Sequence, residues 1–355
     1  MTTSRCIGIL GSGQLGRMLA IAAAQLGIDT HIYAPDAAAS PAASVASCWT
    51  EAAYDDLAAL NDFVASVDVV TSEFENVPAE VMQQISAHCP ASPGEAALRI
   101  AQHRVAEKTL AVRLGIDTPR FWPVTSATGL DGALTELGGD GILKTCRLGY
   151  DGKGQRRVAS GDDASAIFDS FGSDDAILEE KIDFAFEISC LVARAPDGSI
   201  AHFPVSQNTH ENGILARSVA PATIPSSLAE KAQQATAALA DEVGLFGVLA
   251  VEFFVTSDDR LLFNEMAPRP HNSFHWTIEG CASSQFTQLA RVLAGLGFGD
   301  TSAYGRWQMD NLLGQHMQQV PDLLASNGVH LHLYGKPDAH TNRKMGHATR
   351  QLPES

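Results

Sequence analysis

Basic residues are scarce in this chain of 355 residues. Only 24 Lys and Arg stand against 41 Asp and Glu, so the formal net charge is −17. Such a charge repels nucleic-acid phosphates and anionic lipid surfaces wherever basic side chains do not cluster. We therefore expect no nucleic-acid partner and no membrane partner.

Cysteines are few, and long apolar runs are missing. The six cysteines are each more than 40 residues apart and none belongs to a CxxC pair, a pattern that indicates reduced thiols. No stretch of 18 apolar residues occurs, and a strand with a glycine-rich turn stands where a signal peptide would need an uninterrupted apolar segment. These absences predict a cytoplasmic protein.

The apolar content is nevertheless sufficient for folding. Hydrophobic residues make up 45% of the chain, which is enough to offset the entropy of ordering, and the length predicts two or three domains. Residues 6–10 form an apolar run before a glycine-rich turn and a helical pattern, and further strands are predicted at 30–33 and 67–71. We expect a Rossmann-like α/β domain with a parallel sheet over residues 1–95.

The pattern changes beyond this domain. Residues 95–114 predict one long helix, and a second, α+β domain is expected over 96–295. Its glycine-rich part, about 119–180, is predicted as short strands and suits a small mobile lobe. After a glycine-rich linker, residues 296–355 are expected to form a small C-terminal domain.

The first motif is the glycine-rich turn at residues 11–16, which fits GxGxxG between a strand and a helix. Backbone amides at such a turn favour an anion. Asp36 lies where a ribose-binding acid would stand in a dinucleotide-binding domain. The motif alone is typical of an NAD(P)-dependent oxidoreductase, but its glycines equally suit close packing of the first helix on the sheet. Both interpretations stay open.

A second glycine-rich stretch, GYDGKGQ at 149–155, follows Lys144. Its backbone can approach phosphate oxygens while lysine neutralises charge, although it is no Walker loop. The alternative is an ordinary hairpin tip. The apolar strand at 177–182 ends in charged residues, where a backbone edge can bind adenine; a solvated strand end is the plainer interpretation.

Two glutamates stand inside apolar runs that predict a hairpin. Glu252 and Glu265 would repel each other on neighbouring buried strands unless a cation lies between them. Asn264 and Asn272 add neutral oxygen ligands, and oxygen donors of this kind suit Mg²⁺. The alternative is that strand alternation points one glutamate to solvent.

An arginine, Arg269, lies between two prolines directly after the predicted hairpin. Arg269 could bind a small planar anion through two hydrogen bonds, or it could only pair with Glu265. Near the C-terminus, a local reversal of charge suggests a phosphomonoester site, formed by Lys336, Arg343, Lys344 and Arg350; a solvated basic tail is the alternative.

Together these motifs resemble the ATP-grasp superfamily and, within it, the 5-(carboxyamino)imidazole ribonucleotide synthase family of purine biosynthesis. The likeness runs in order through GSGQLGRM at 11–18, EFENV at 73–77, GYDGKGQ at 149–155 and NEMAPRPHNS at 264–273 to NRKMGH at 342–347. It implies an N-terminal α/β domain, a two-lobed ATP-grasp domain that grips nucleotide between sheets, and a small C-terminal domain. It also implies ATP and Mg²⁺ as cofactors, small-molecule substrates and a homodimer.

The resemblance further implies roles for individual residues. The ATP-binding residues would be Arg104, Lys144, Gly149, Tyr150, Asp151, Gly152, Lys153, Gly154, Gln155, Glu179, Glu180, Lys181, Ile182, Glu187, His210, Asn264 and Glu265. The substrate-binding residues would be Gln14, Leu15, Glu73, Asn76, Tyr150, His271, Asn272, Ser273, Lys336, Arg343 and Lys344. Catalysis would rest on Arg269, Lys144 and Lys153, and Mg²⁺ would bind Glu252 and Glu265.

The implied reaction is the ATP- and bicarbonate-dependent carboxylation of 5-aminoimidazole ribonucleotide through carboxyphosphate. The rivals are another ATP-grasp carboxylate ligase, such as a formate-dependent transformylase, the oxidoreductase that uses residues 11–16, and a non-catalytic nucleotide sensor. Three positions carry Ser12, Leu148 and Phe274 where the family usually has glycine. The ring of Phe274 would narrow the substrate side of the site.

Overall fold

A computed structural model describes residues 5–149 and 153–353. Its described residues form one parallel sheet and two antiparallel-rich sheets with helices packed on them. The predicted mixed fold class is therefore confirmed. Within this part of the chain, no helix is both long enough and apolar enough to cross a bilayer.

The N-terminal region is a five-stranded parallel sheet with order β3-β2-β1-β4-β5. Its elements are β1 (Cys6–Leu10), α1 (Gln14–Gln25), β2 (Asp29–Ala34), β3 (Cys48–Glu51), α2 (Leu57–Ala65), β4 (Val69–Ser72), α3 (Ala79–Ser86) and β5 (Ala91–Ser92). Strands β1 and β4 are apolar because helices cover both faces of the sheet. Since these strands are parallel neighbours, the turn after β1 and the EFENV segment after β4 meet at one edge.

Two helices connect this sheet to the rest of the chain, namely α4 (Glu95–Ala101) and α5 (Arg104–Arg113). The predicted single helix over 95–114 is therefore wrong. His103 interrupts it with an extended backbone (φ −139°), and its Nδ1 accepts a hydrogen bond from the Ala106 amide at 3.4 Å. This residue is the N-cap of α5.

A four-stranded sheet with two helices, here called the small lobe, comes next. Its elements are β6 (Phe121–Val124), α6 (Ala127–Leu137), β7 (Asp140–Thr145), β8 (Gln155–Ala159), α7 (Ala164–Phe171) and β9 (Ala176–Glu180), in sheet order β6-β9-β7-β8. The expectation of strands alone was wrong, because Ser126 caps α6 and the buried residues Leu130, Leu134 and Leu137 give it an apolar stripe. Glycines inside α6 concealed this pattern.

The large sheet has order β15-β14-β10-β12-β13-β16-β18-β17, with β11 paired to β10. Its strands and helices are β10 (Phe184–Arg194), β11 (Ile200–His202), β12 (Ser206–Glu211), β13 (Ile214–Ala220), α8 (Ser226–Glu242), β14 (Gly247–Thr256), β15 (Leu261–Ala267), α9 (Thr277–Gly280), α10 (Gln285–Leu293), β16 (Arg306–Leu313), α11 (Val320–Ala325), β17 (Val329–Leu333) and β18 (Lys344–Leu352). Short 3₁₀ segments lie at Asn272–Phe274 and Gly314–Gln319. The C-terminal strands thus continue the central sheet through the β13–β16 pairing.

Candidate active site

Two glutamates face each other on the hairpin of the large sheet. Glu252 on β14 lies directly opposite Glu265 on β15, and directly opposed residues of antiparallel strands project from the same face. Strand alternation therefore does not point one glutamate away from the other, although one of the two is partly exposed to solvent. Glu252 is buried, while the side chain of Glu265 is 39% exposed and lies 3.2 Å from Arg104 Nη1.

The electrostatics of this pair are unbalanced. Burial, followed by the charge of Glu265, raises the pKa of Glu252 to about 7. Burial also acts to raise the pKa of Glu265, but Arg104 and Lys144 lower it overall. Glu265 thus has a close guanidinium partner, whereas Glu252 lies 3.8 Å from the imidazole of His271.

A histidine and a third acid extend this acidic pair. His210 Nδ1 lies 2.6 Å from Glu187 Oε2, and ligand atoms of His210, Glu187 and Glu252 lie within 4.8 Å of one another. Burial acts to lower the pKa of His210, but Glu187 and Glu252 raise it. The predicted nucleotide-side residues Glu187 and His210 are therefore brought together with the predicted metal ligand Glu252.

The small lobe supplies a lysine and a further buried acid. Lys144 Nζ donates to Glu179 Oε2 at 2.9 Å, and Lys108 Nζ lies 3.4 Å from the same oxygen. Burial acts to raise the pKa of Glu179, but Lys108, Lys144 and Arg104 lower it to about 2. The structure therefore places Arg104, Lys144, Glu179 and Glu265 in one charged network.

Lys108 and its neighbour Glu107 were not among the predicted site residues. Lys108 is completely buried and donates to Asn264 O at 3.2 Å, while Glu107 accepts from the Met266 amide at 3.2 Å. Burial raises the pKa of Glu107 to about 8. Helix α5 thus binds the backbone of β15 on both sides of Glu265. The signal was present in the sequence, because Arg104, Glu107 and Lys108 share one helix face.

The glycine-rich loop joins β7 to β8. Arg104 Nη2 donates to Gly149 O at 3.2 Å, and Lys144 pairs with Gln155 in the β-ladder. Gly154 has φ +69°, and a Cβ there would lie 2.7 Å from Thr145 Oγ1, so both conformation and space favour glycine. The loop thus begins and ends beside the charged network. Lys153 is exposed, and Tyr150, Asp151 and Gly152 lie outside the described residues.

The predicted adenine edge lies at the end of β9. Glu180 is paired through its carboxylate with Arg120 at 3.0 Å, and the Lys181 amide donates to Asp140 O at 3.1 Å. Ile182 is half-buried just beyond the strand. The Glu180 side chain and the Lys181 amide are thus already bonded within the protein.

Arg269 pairs with a residue that the sequence interpretation overlooked. Its Nε donates to Glu75 of the EFENV segment, and its Nη1 donates to Pro270 O at 3.1 Å. The alternative that Glu265 is its ion-pair partner is therefore wrong. Burial acts to raise the pKa of Glu75, but Arg269 lowers it to about 2. This partly buried ion pair joins the segment after the parallel sheet to the segment after the large sheet's hairpin.

The segment after Arg269 holds polar groups without protein partners. Both side-chain polar atoms of Asn272 are buried and have no hydrogen-bond partner among residues 5–149 and 153–353. His271 Nδ1 contacts Ser273 Oγ at 2.8 Å, and its Nε2 lies 3.8 Å from Glu252 Oε1. Buried polar atoms normally have partners, so the Asn272 amide indicates a position for a ligand.

Phe274 does not narrow this position. Its side chain is fully buried in the hydrophobic core and its ring packs edge-on against Phe203. The prediction that this ring narrows the substrate side is therefore wrong, because the ring lies in the hydrophobic core. Leu148, by contrast, is 71% exposed and has φ +60°, a conformation that favours the glycine usual in the family.

The first glycine-rich turn binds an internal carboxylate. The amides of Gly13 and Gly16 donate to the two oxygens of buried Glu73, the latter at 2.7 Å. A phosphate at these amides would meet that carboxylate, so the structure does not support the anion site expected at this turn. The pyrophosphate of the rival oxidoreductase is disfavoured for the same reason. Asp36 accepts a hydrogen bond from Ser12 Oγ at 2.7 Å.

The other residues predicted to bind the ribonucleotide lie in α1, in the EFENV segment and near the C-terminus. Gln14 and Leu15 begin α1, and Asn76 is exposed in the EFENV segment. Lys336 Nζ donates to Lys344 O at 2.9 Å, and Arg343 donates to Asp338 O at 3.1 Å.

The charges of two of these C-terminal lysines reach the acids described above. Lys336 acts on Glu73, and Lys344 acts on Glu252, in each case lowering the acid's pKa against the larger raising effect of burial. The C-terminal basic segment therefore faces both the parallel sheet and the acidic pair.

Comparisons with known proteins agree with this architecture. Three family models match the chain: a ribonucleotide synthetase preATP-grasp domain at residues 4–102, an ATP-grasp domain at 109–286 and a phosphoribosylaminoimidazole carboxylase C-terminal domain at 308–353. The N5-carboxyaminoimidazole ribonucleotide synthase of Brucella melitensis is 46% identical, covering 98% of this chain and 97% of that relative. The enzyme of the same name from Bacillus subtilis is 39% identical over 97% of this chain and 90% of its own length.

Solved structures show the same relationship. The ADP complex of an N5-carboxyaminoimidazole ribonucleotide synthetase superposes with a TM-score of 0.94 at 38% identity, covering 99% of this chain and 93% of that one. The Aspergillus clavatus N5-carboxyaminoimidazole synthase in complex with ADP and 5-aminoimidazole ribonucleotide has a TM-score of 0.91 at 28% identity, covering 99% and 95%. This chain therefore belongs to the N5-carboxyaminoimidazole ribonucleotide synthase family of ATP-grasp ligases.

Proposed function

We propose that this protein uses ATP and bicarbonate to carboxylate 5-aminoimidazole ribonucleotide, forming N5-carboxyaminoimidazole ribonucleotide, ADP and phosphate. The observation that carries the proposal is the pair Glu252 and Glu265, which project from one face of the large sheet beside Arg104 and Lys144. Opposed acids next to paired cations suit a metal-bound triphosphate. Family membership supports the same chemistry.

The reaction balances in two steps. A bicarbonate oxygen attacks the γ-phosphorus, the bond to the β,γ-bridging oxygen breaks, and ADP leaves with carboxyphosphate formed. The exocyclic amine of the ribonucleotide then attacks the carboxyl carbon, either in carboxyphosphate or in CO₂ released from it. Phosphate leaves, and the amine proton passes to solvent. Such transfers need charge neutralisation and alignment more than a protein nucleophile.

The residues present fit Mg²⁺. Glu252 and Glu265 offer hard oxygen donors from directly opposed positions, and the raised pKa of Glu252 reflects a charge that a cation would relieve. In this proposal these two side chains hold the ion, with Asn264 beside them. When bound, Mg²⁺ supplies neutralisation of phosphate charge.

Arg104 and Lys144 are assigned to the phosphates of ATP. Each already contacts a carboxylate, Glu265 and Glu179 respectively. Lys108 also neutralises Glu179, so Lys144 can contact a phosphate without leaving a buried acid unpaired. Lys153 and the loop at 149–155 are proposed to cover the phosphates, which excludes water from carboxyphosphate.

Arg269 is assigned to bicarbonate and carboxyphosphate. Its bonds to Glu75 and Pro270 O fix the plane of the guanidinium, and a fixed plane favours a planar anion bound by two parallel hydrogen bonds. The nearby amide of Asn272, with His271 and Ser273, is proposed to contact the ribonucleotide. Its phosphate would lie among the C-terminal basic residues rather than on the turn at 11–16.

Phosphate release tests the function directly. We expect release to require ATP, bicarbonate and 5-aminoimidazole ribonucleotide together, with each omitted in turn as a control. Labelled bicarbonate should enter the product, whereas incorporation of labelled formate would indicate the transformylase. Release that ignores the ribonucleotide would favour the nucleotide sensor. Tight binding of NADH, followed by its fluorescence, would revive the oxidoreductase.

Location and assembly complete the proposal. A cytoplasmic, homodimeric enzyme is expected from the cysteine pattern and from the family. Light scattering coupled to size-exclusion chromatography should give twice the mass of 37.6 kDa, and a single-chain mass would remove the dimer from the proposal.

A further inference from the structure

A second cluster of potential metal ligands lies apart from the acidic pair. Ligand atoms of His103, Cys146 and Asp175 lie within 4.8 Å of one another, and His103 Nε2 is 3.1 Å from Asp175 Oδ1. Cys146 is buried, whereas the side chain of Asp175 is 47% exposed. The cluster therefore has a protected thiol and an open side through which an ion and a water molecule can enter.

The backbone holds these three residues in place. The Cys146 amide donates to Asp175 O at 2.9 Å, and the Arg104 amide donates to Cys146 O at 3.1 Å. Cys146 and Asp175 belong to the small lobe, while His103 caps α5 outside it. The arrangement is thus independent of long flexible side chains, and it spans the junction between the small lobe and α5.

The donor set selects a class of metal. Sulfur, imidazole nitrogen and one carboxylate oxygen suit Zn²⁺ and similar thiophilic ions, whereas Mg²⁺ prefers oxygen ligands throughout. With three protein ligands, the fourth tetrahedral position is left to water. Thiolate and carboxylate together carry two negative charges, which match a divalent ion.

Three features of the cluster compete with a bound ion. Burial, with the adjacent Asp175, raises the pKa of the Cys146 thiol to about 12, so the ion must displace a proton. His103 Nδ1 accepts the 3.4 Å bond from Ala106; ligation through Nε2 requires the proton on Nδ1 and the loss of this long bond. Arg147, 3.8 Å from Asp175 Oδ2, also attracts the carboxylate.

We propose that His103, Cys146 and Asp175 bind one thiophilic divalent ion of the Zn²⁺ class and that this ion fastens the small lobe to the N-terminus of α5. Metal–sulfur, metal–nitrogen and metal–oxygen bonds form, the S–H bond breaks, and its proton passes to solvent with no redox change. The site is independent of the proposed carboxylation, since none of its residues is assigned to ATP, bicarbonate or the ribonucleotide.

Cobalt provides the test, because a thiolate bound to Co²⁺ gives a charge-transfer absorption in the near ultraviolet. The full-length protein, with excess Mg²⁺ present to fill oxygen-only sites, is titrated with Co²⁺ and then with Zn²⁺. We expect a band that saturates at one Co²⁺ per chain and disappears on addition of Zn²⁺. A protein that gives no such band overturns the proposal.

Three variants identify the ligands. Cys146→Ser should remove the band, and Asp175→Asn and His103→Asn should each weaken Co²⁺ binding at least tenfold; asparagine at position 103 keeps an N-cap. Cys48→Ser is the matched control, because Cys48 is exposed and near another thiol, Cys6. A band that survives in Cys146→Ser, or that vanishes in Cys48→Ser, places the ion elsewhere and refutes the assignment.

Thermal unfolding gives a second readout that does not depend on the cysteine variant. Zn²⁺ should raise the Tm of the parent protein and of Cys48→Ser, since a ligand that binds only the folded state stabilises it. The increase should be absent in His103→Asn and Asp175→Asn. If Cys146→Ser does not fold, these two variants decide, and an unchanged increase in both rejects the site.

Discussion

Two regions of this protein contain acidic side chains within or beside a β-sheet, and the charge is stabilised differently in each. In the parallel sheet, the carboxylate of Glu73 is bonded to the amides of Gly13 and Gly16. In the large sheet, Glu252 faces a second acid, Glu265, and its pKa is raised to about 7. The first acid has internal partners that stabilise the fold, whereas the second pair is proposed to bind a cation.

The largest effect is expected from Glu265→Gln, which tests whether this pair of acids binds Mg²⁺. The variant removes a charge assigned to Mg²⁺, so we expect kcat to fall by a factor of about 10² to 10³ with little change in unfolding free energy. Steady-state phosphate release over a range of Mg²⁺ concentrations measures the effect. Glu242→Gln, which affects an exposed acid paired with Arg113, is the control.

Equal Mg²⁺ dependence in Glu265→Gln and the parent would remove the metal from this pair of acids. A large loss of stability in the variant would instead place Glu265 among the internally satisfied acids, because its main partner would then be Arg104.

Glu73→Gln tests the other half of the comparison. The amide retains the shape but puts an NH₂ group where one carboxylate oxygen accepts a backbone bond, and we expect a loss of about 1–3 kcal/mol in unfolding free energy. Urea denaturation measures it. Glu80→Gln, at a side chain 64% exposed, should change stability by less than about 0.5 kcal/mol. Equal stabilities for both variants would contradict the structural role of Glu73.

Lys344→Ala examines the basic segment that faces both regions. We expect the KM for the ribonucleotide to rise about tenfold while the KM for ATP stays nearly constant, since uniform binding of one substrate is lost. Initial rates with each substrate varied in turn measure it. Arg217→Ala, which affects a residue paired with Asp310 at 2.6 Å, is the control. A parallel rise in both KM values would move Lys344 out of the ribonucleotide site.

The raised pKa of Glu252 predicts that proton release on Mg²⁺ binding depends on pH. Because the pKa of Glu252 is raised to about 7 from its ordinary 4.5, its contribution to stability is complete below pH 4.5 and is lost as the pH rises through 7. Binding of Mg²⁺ at pH 6.5 should therefore release a substantial fraction of one proton, and at pH 8.5 almost none. Calorimetry in two buffers of different ionisation enthalpy measures this. Equal proton release at both pH values would contradict the assignment to Glu252.

The smallest expected effect concerns the backbone rather than charge. Leu148 has φ +60° and an exposed side chain, so Leu148→Gly should relieve strain and raise stability by about 0.5–1 kcal/mol. Urea denaturation measures the gain, and Leu324→Gly, at an exposed helical leucine, should lower stability. Destabilisation by both substitutions would show that Leu148 makes contacts worth more than its strain.

The family and the order of the motifs could be predicted from the sequence, because short motifs such as NEMAPRPHNS and GYDGKGQ are specific for the family and contiguous in the chain. It did not predict that Glu75 is the partner of Arg269, since these residues are 194 positions apart and meet only when two sheets pack together. Glu107 and Lys108 were missed for a related reason. A charged residue on a predicted helix is normally expected to be solvated, and only the packing of α5 on β15 buries this pair.

Helix α6 was missed on different grounds. Glycine has a low helix propensity, and Gly129 and Gly132 outweighed the cap at Ser126 in the interpretation. The core that covers its leucines includes Leu143 of β7, which follows the helix closely, and Leu178 of β9, which is distant in sequence. Tertiary packing therefore decided the outcome where local preference was weak.

The continuation of the large sheet through β16 has a consequence for any shortened form of the protein. Strand β13 pairs with β12 on one side and with β16 on the other. Cutting the chain before residue 306 would leave a row of unsatisfied amide and carbonyl groups along β13, and such rows recruit strands from other molecules. A truncated chain should therefore precipitate through intermolecular sheet formation rather than persist as a smaller nucleotide-binding unit.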